Sequence, residues 1–209
     1  METQTVLTGV IGLDVFDAVE SRRSIRKFNK QQVSRELVEK LLEMAVYAPS
    51  PKNIQNWRYV VVNGADKLKL FNIVLQAIAE KKSQGMITAS GVNSVKTIAH
   101  ASAVILVFNA DYRFEGIKDL NDRFMWLAEV QAIGAAVENL LLTATKLGIG
   151  TLWICDVLYA ADKINDWLQT GYELMAAVAL GYFDKAPEAA GRRPLNEVVE
   201  WIFEDVGNQ

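Results

Sequence analysis

Hydrophobic residues in this chain fall into two patterns: positions recurring at helical spacing, and short unbroken apolar runs. The first pattern predicts a short helix over Asp14–Arg22, with Asp14 placed to cap it. It returns after Ser34, a good N-cap, where Leu37, Val38, Leu41, Leu42 and Ala45 share a face and Pro49 stops the helix. Trp57–Val62 is aromatic and β-branched, which predicts a strand, and Asn63-Gly64 reads as the turn after it. Asp66 to about Glu80 is helical. Lys81–Lys96 is small, polar and weakly periodic and predicts no regular element; mobile loops of this kind often cover active sites.

The run Ala103–Asn109 (AVILVFN) predicts a fully buried strand. From about Phe124 to Leu147 the spacing predicts one long helix, with Leu127, Val130, Gly134, Val137, Leu141 and Ala144 as a continuous stripe. The flanking Ala132, Ile133, Ala135, Ala136 and Leu140 leave it little polar face, so burial on several sides is expected. Gly148 ends the helix, Thr151–Cys155 reads as a strand, Ala160–Leu168 as a helix and Leu174–Leu180 as another buried strand. A loop with Arg192 and Arg193 and an apolar tail, Val198–Phe203, close the pattern. The central helix is too long for a simple crossover between parallel strands. The expected fold is therefore α+β, a mixed central sheet flanked by helices.

Composition narrows the class. The 209 residues suit one domain over 1–209, and no repeat or linker divides them. Hydrophobic residues make up 51% and charged residues 22%, an ordinary globular balance. A net charge of −3 gives no reason to expect nucleic acid or an anionic membrane as partner. With one cysteine and one histidine, neither an internal disulfide nor a structural zinc site is expected, and no metal is assigned. The opening METQTVLTGVIGLDVFD lacks the pattern of a secretory signal, and runs such as Ala103–Phe108 are short for a membrane span. A cytoplasmic protein is expected.

Three constellations could carry chemistry. Between Ser21 and Arg35 lie Arg22, Arg23, Arg26, Lys27, Lys30 and Arg35 with no acid, in a chain that is net negative. Arg22, Arg23 and Arg26, with Ser24 between them, are compact enough to converge on one phosphate, for which the guanidinium fork is suited. A solvated charged face or structural ion pairs would produce the same run. The second constellation is Ala48-Pro-Ser-Pro-Lys-Asn-Ile-Gln-Asn-Trp57, whose Ser50, Asn53 and Gln55 could serve a heterocycle with a pyrimidine edge. Taken alone, these residues favour an ordinary capped loop anchored by a core Trp57. The third is Gly148-Ile-Gly-Thr-Leu-Trp-Ile-Cys-Asp156, where two glycines either admit a flat ligand or terminate the helix.

Taken in order, Ser21-Arg-Arg-Ser-Ile-Arg-Lys-Phe28, the Ala48–Trp57 loop, Ala136-Val-Glu-Asn-Leu-Leu-Leu142, Leu147-Gly-Ile-Gly-Thr-Leu-Trp-Ile154, and Ala179-Leu-Gly-Tyr182 with Arg192-Arg-Pro-Leu195 resemble the nitroreductase family of FMN-dependent NAD(P)H oxidoreductases. The resemblance spans about residues 14 to 203. It implies that Arg22, Arg23, Ser24 and Arg26 hold the ribityl phosphate side of FMN and that Arg192 closes on the phosphate. It implies that Ser50 and Asn53 meet the flavin, often across a dimer interface, and that the backbone at Ile154 and Cys155 approaches the ring and its N5. It further implies a homodimer that shares the long central helix and exchanges terminal segments. The activity implied is hydride transfer from NAD(P)H through flavin N5 to an electron-poor acceptor of nitroaromatic or quinone type, by a ping-pong mechanism that needs no side-chain acid or base.

The departures are specific. The family's loop commonly reads Gln-Pro-Trp, and here Asn56 stands in the proline's place, which bears on loop rigidity more than on a cofactor contact. The chain is short, with little room for an inserted lid, and lacks a lid set matching the iodotyrosine deiodinase branch. Cys155 stands where many relatives carry a small residue and is expected to act as one. His100, the only histidine, is expected in a structural role. Other readings remain open: the same fold used for dehalogenation or flavin fragmentation, a non-catalytic flavin-binding protein, and a protein binding acidic partners through Arg22–Lys30.

Overall fold

The computed structural model describes residues 14–86, 91–111 and 114–202. Six helices and four strands succeed one another as α1 (Val15–Ser21), α2 (Arg35–Ala45), β1 (Trp57–Val62), α3 (Gly64–Ser83), α4 (Gly91–His100), β2 (Ala103–Asn109), α5 (Leu120–Lys146), β3 (Gly150–Ile154), α6 (Ala161–Leu168) and β4 (Glu173–Gly181) among the described residues. The strands lie in the order β1-β2-β4-β3, each pair antiparallel. The four-stranded sheet is thus antiparallel throughout, and an isolated parallel bridge joins Ser24 to Thr151 beside β3.

β2 shows why the sheet is covered on both sides. Its side chains alternate, and every one of them is buried. Ala103, Ile105 and Val107 pack with α2 and α5, whereas Val104, Leu106 and Phe108 pack with α3, α4 and α6. β4 follows the same rule but changes parity at a bulge opposite Val107 and Phe108. Leu174 faces the α3 layer before the bulge, and Ala177 and Ala179 face it afterwards. The result is a helix–sheet–helix sandwich of the α+β class.

Local chemistry sets most boundaries. Asp14 and Asp17 cap α1 reciprocally, the Ser34 hydroxyl accepts from Leu37 N at 3.3 Å, and Asp119 starts α5 by accepting from Asp122 N at 2.9 Å. α5 therefore begins four residues before the expected Phe124. At its other end Gly148 takes φ 69°, which lets Ile149 N return to Ala144 O at 2.8 Å. α2 ends at Ala45, ahead of Pro49.

Three expectations need correction. Asn63-Gly64 is no separate turn: Asn63 is the N-cap of α3, and Gly64 its first residue. The segment 81–96 is substantially helical, because α3 runs to Ser83 and α4 starts at Gly91; residues 87–90 lie outside the described residues. The stripe of α5 that meets the sheet is Ala132, Ile133, Ala136, Val137, Leu140, Leu141 and Ala144, joined by Glu129; Val137, Leu141 and Ala144 of the expected stripe lie in it, whereas Leu127, Val130 and Gly134 do not. On the opposite side Leu120, Phe124 and Leu127 are exposed. α5 is long and apolar enough to cross a bilayer by length and composition, yet its inner face packs on this sheet.

Candidate functional site

Two facing glycines hold the arginine segment against the sheet. Gly150 of β3 and Gly181 of β4 are register partners. A Cβ on Gly150 would lie 2.6 Å from Phe183 and 2.9 Å from Ile25; one on Gly181 would lie 3.0 Å from the Phe28 ring. Their missing side chains make the shallow floor on which Ile25 and Phe28 sit. Ile25 N donates to Thr151 O at 2.8 Å, and Asn29 N donates to Tyr182 O at 2.8 Å. Gly148 thus terminates the helix, and Gly150 admits the close packing of Ile25 and Phe183.

With the segment fixed, its polar residues open into a cleft of about 620 Å³ lined by Arg22, Arg23, Ser24 and Arg26 on one side and by 187–190 and Arg192 on the other. Arg192 is remote in sequence, and the fold brings it to the cluster. Glu20 and Glu188 also border the cleft, so cations exceed acids there by two. The arginines are not equivalent. Arg22 Nε lies 3.7 Å from Glu138 of α5, an ion pair in partial contact with solvent. Arg23 donates to Glu20 O at 2.7 Å and Arg22 O at 2.9 Å, so it closes the C-terminal end of α1. Arg26 reaches Ser24 O at 3.4 Å, and Arg192 touches Ala190 O at 3.1 Å, each a local contact to a carbonyl.

Ser50 and Asn53 lie elsewhere. Ser50 lines a separate cleft with Pro49 and Pro51 against Ala128, Gln131, Ala132 and Ala135 of α5. Its hydroxyl accepts from Gln55 N at 3.0 Å, while Asn53 is exposed beside it. Lys52, Asn53 and Gln55 all take φ between 50° and 57°, a left-handed conformation that non-glycine residues adopt only when surroundings impose it. Ile154 points its side chain into the core, leaving only its backbone to meet a ligand, and Cys155 is exposed just beyond β3. From Thr151, beside Ser24, to Ile154 is about 10 Å of strand.

Sequence reasoning missed one set of residues. Asn56, almost fully buried, donates to Asn109 Oδ1 at 3.0 Å, and Asn109 donates to Glu129 Oε2 at 2.9 Å. Glu129 is 0% exposed and is the only charged residue between Arg123 and Glu138, a visible anomaly in an apolar helix. His100 ends α4 at the surface and lines none of these clefts.

The nitroreductase family matches residues 19–182, most of the chain and the Arg22–Arg26 side of the cleft. The chain belongs to the nitroreductase family. YfhC of Bacillus subtilis, provisionally named an NAD(P)H nitroreductase, is 29% identical over 184 residues, covering 87% of this chain and 90% of that protein. The solved BluB-like flavoprotein of Clostridium difficile 630 is 29% identical with a TM-score of 0.74, covering 91% of this chain and 100% of its own. A Desulfovibrio desulfuricans protein, solved with FMN and provisionally called a nitroreductase, is 28% identical with a TM-score of 0.69, covering 92% of this chain and 99% of its own.

Within this nitroreductase-family chain the Cys155 thiol is poorly suited to nucleophilic work. Partial burial, and the neighbouring Asp156 carboxylate, hold its pKa above the ordinary thiol value against an opposing hydrogen bond with Trp153. At neutral pH little of it is thiolate. Cys155→Ala is expected to retain flavin content and turnover within about two-fold, the behaviour of a small apolar residue. Loss of turnover with the flavin still bound would give the thiol a chemical part.

Proposed function

We propose that the chain, as one domain, is a subunit of a homodimeric FMN-dependent oxidoreductase that takes hydride from NAD(P)H and gives it to a nitroaromatic or quinone-type acceptor. The observation carrying this reading is the convergence of Arg22, Arg23, Ser24, Arg26 and Arg192 on one cleft in a chain of net charge −3. A phosphomonoester brings nearly two negative charges at neutral pH, and guanidinium forks match its oxygens in pairs. The residues therefore fit the phosphate end of FMN. The FMN-bound Desulfovibrio relative and the name of YfhC support the cofactor and the electron donor.

Bound FMN would supply hydride acceptance at N5 and return it to the second substrate in alternating half-reactions. The chain's own work is to bind and orient. Arg22, Arg26 and Arg192 neutralise the phosphate, Arg23 fixes the end of α1 beside it, and the Ser24 hydroxyl adds a donor. The backbone at Ile154 and Cys155 would meet the ring of bound FMN. Ser50 lines a different cleft of the same chain, with Asn53 exposed beside it, so in this reading both come from the second subunit. No side chain is assigned as a general acid or base.

Purified protein is expected to show flavin absorption and to release FMN, not FAD, on heating. NAD(P)H without air should bleach the visible band, and a quinone or nitroaromatic should restore it. Colourless protein that cannot be reconstituted with FMN would end this reading. A yellow protein inert to NAD(P)H would favour a flavin store or another flavin reaction.

A further inference from the structure

We infer that Asn56 is a positioning residue: through Asn109 it ties the Pro49–Gln55 loop to the buried Glu129 of α5 and so sets the loop's ring-facing geometry. The inference rests on the reading that this loop meets the flavin. Three residues of the loop hold left-handed backbone, and its own hydrogen bonds, Ser50 Oγ with Gln55 N and Ser50 O with Asn53 N, are local. They can shape the loop but cannot register it against the rest of the protein. Asn56 does so at the point where the loop enters β1. Its carbonyl accepts from Ala110 N at 2.9 Å, and its amide donates to Asn109 Oδ1, which also accepts from Asp111 N at 3.2 Å. Asn109 then donates to Glu129, whose neighbours Ala128, Gln131 and Ala132 line the cleft facing Ser50. One line of amide donors therefore connects loop, sheet and helix. Proline, which the family's loop commonly carries at this position, could make no such link, since it has no side-chain donor.

The line has a direction, amide to amide to carboxylate, and this makes it testable. Asn56→Asp removes the donor and sets an acceptor against Asn109 Oδ1. Adding Glu129→Gln allows the Asn109 amide to turn. It can then donate to the carboxylate introduced at position 56 and accept from the amide introduced at position 129, so the line runs the other way at the expense of the Asp111 N contact. Hydrogen exchange of the apoprotein reads loop order, and titration with FMN and with riboflavin reads the site. N56D should speed exchange of peptides covering 50–56 and weaken FMN and riboflavin alike by about ten-fold, the upper end of what one amide–amide hydrogen bond contributes. N56D/E129Q should recover part of both losses, the lost Asp111 N contact accounting for the remainder. If N56D does not fold, N56A, which removes the donor without adding charge, is expected to show the same two effects. Unchanged exchange, unchanged affinities, or a double variant no better than N56D overturns the inference. Faster exchange with unchanged affinities also overturns it, since the loop would then not serve the ring. Should the wild type take up no flavin, the functional reading falls and exchange alone decides whether the line orders the loop.

Discussion

Arg22→Ala or Arg192→Ala is expected to weaken FMN binding by roughly 1.5–3 kcal/mol, about ten- to 150-fold, with riboflavin affinity unchanged. The selectivity follows from where these side chains stand. Both line the arginine cleft, and neither contributes to the core. Arg22 also loses its pair with Glu138, but a partly exposed pair contributes only about 0–1 kcal/mol, so the fold should survive. Arg23 is the contrasting case. It already serves two carbonyls at the end of α1, so Arg23→Ala should disturb the helix end and affect both flavins more evenly. Titrations at two salt concentrations sharpen the comparison, because an exposed charge contact weakens as ionic strength rises. Equal losses for FMN and riboflavin in R22A would remove the phosphate assignment.

Leu127→Glu is expected to have a larger effect: dissociation of the proposed dimer and loss of the flavin with it. Leu127 is 45% exposed in the isolated chain and lies in line with exposed Leu120 and Phe124 on α5. Elsewhere α1 packs on α5 and exposes Val15, Phe16 and Val19. Exposed apolar side chains of this kind are typical of an interface, and two-fold pairing of the α5 face would cover Leu120, Phe124 and Leu127. A glutamate there costs an isolated chain almost nothing but would bury an unpaired charge between subunits, at several kcal/mol. Gly134→Glu is a less clean probe, since Gly134 already faces Trp153 of its own chain. The tail gives a second line of argument. Val198, Trp201 and Ile202 are exposed and form no strand in the single chain, while β1 has no neighbour on its outer edge among the described residues. Phe203 lies outside the described residues. Light scattering with simultaneous absorbance measures mass and flavin together. A dimeric L127E still holding FMN, or a monomeric wild type saturated with it, would refute the shared site.

What the sequence determined by itself was local. Ala103–Asn109 is apolar at nearly every position, so no strand buried on one face could use it, and both of its faces are in fact covered. Asp14 and Ser34 cap helices through contacts within three residues, and the run of arginines free of acids is a compositional fact; the Asp119 cap of α5 is equally local but lies ahead of the start that the apolar spacing predicts. α4 escaped detection because its small and polar residues have weak helical preference; Val95 and Ile98 become a buried face only where α3 and the sheet receive them. The face of α5 was ambiguous for the opposite reason. A helix apolar nearly all round carries no periodicity to choose a side, and the sheet's shape made the choice. Arg192 joins Arg22, and Asn56 finds Asn109 and Glu129, across separations that no spacing rule spans. Side-chain hydrogen bonds and converging charges depend on where distant segments meet. That meeting is set by packing of the whole sheet and its helices, so tertiary structure alone decided it.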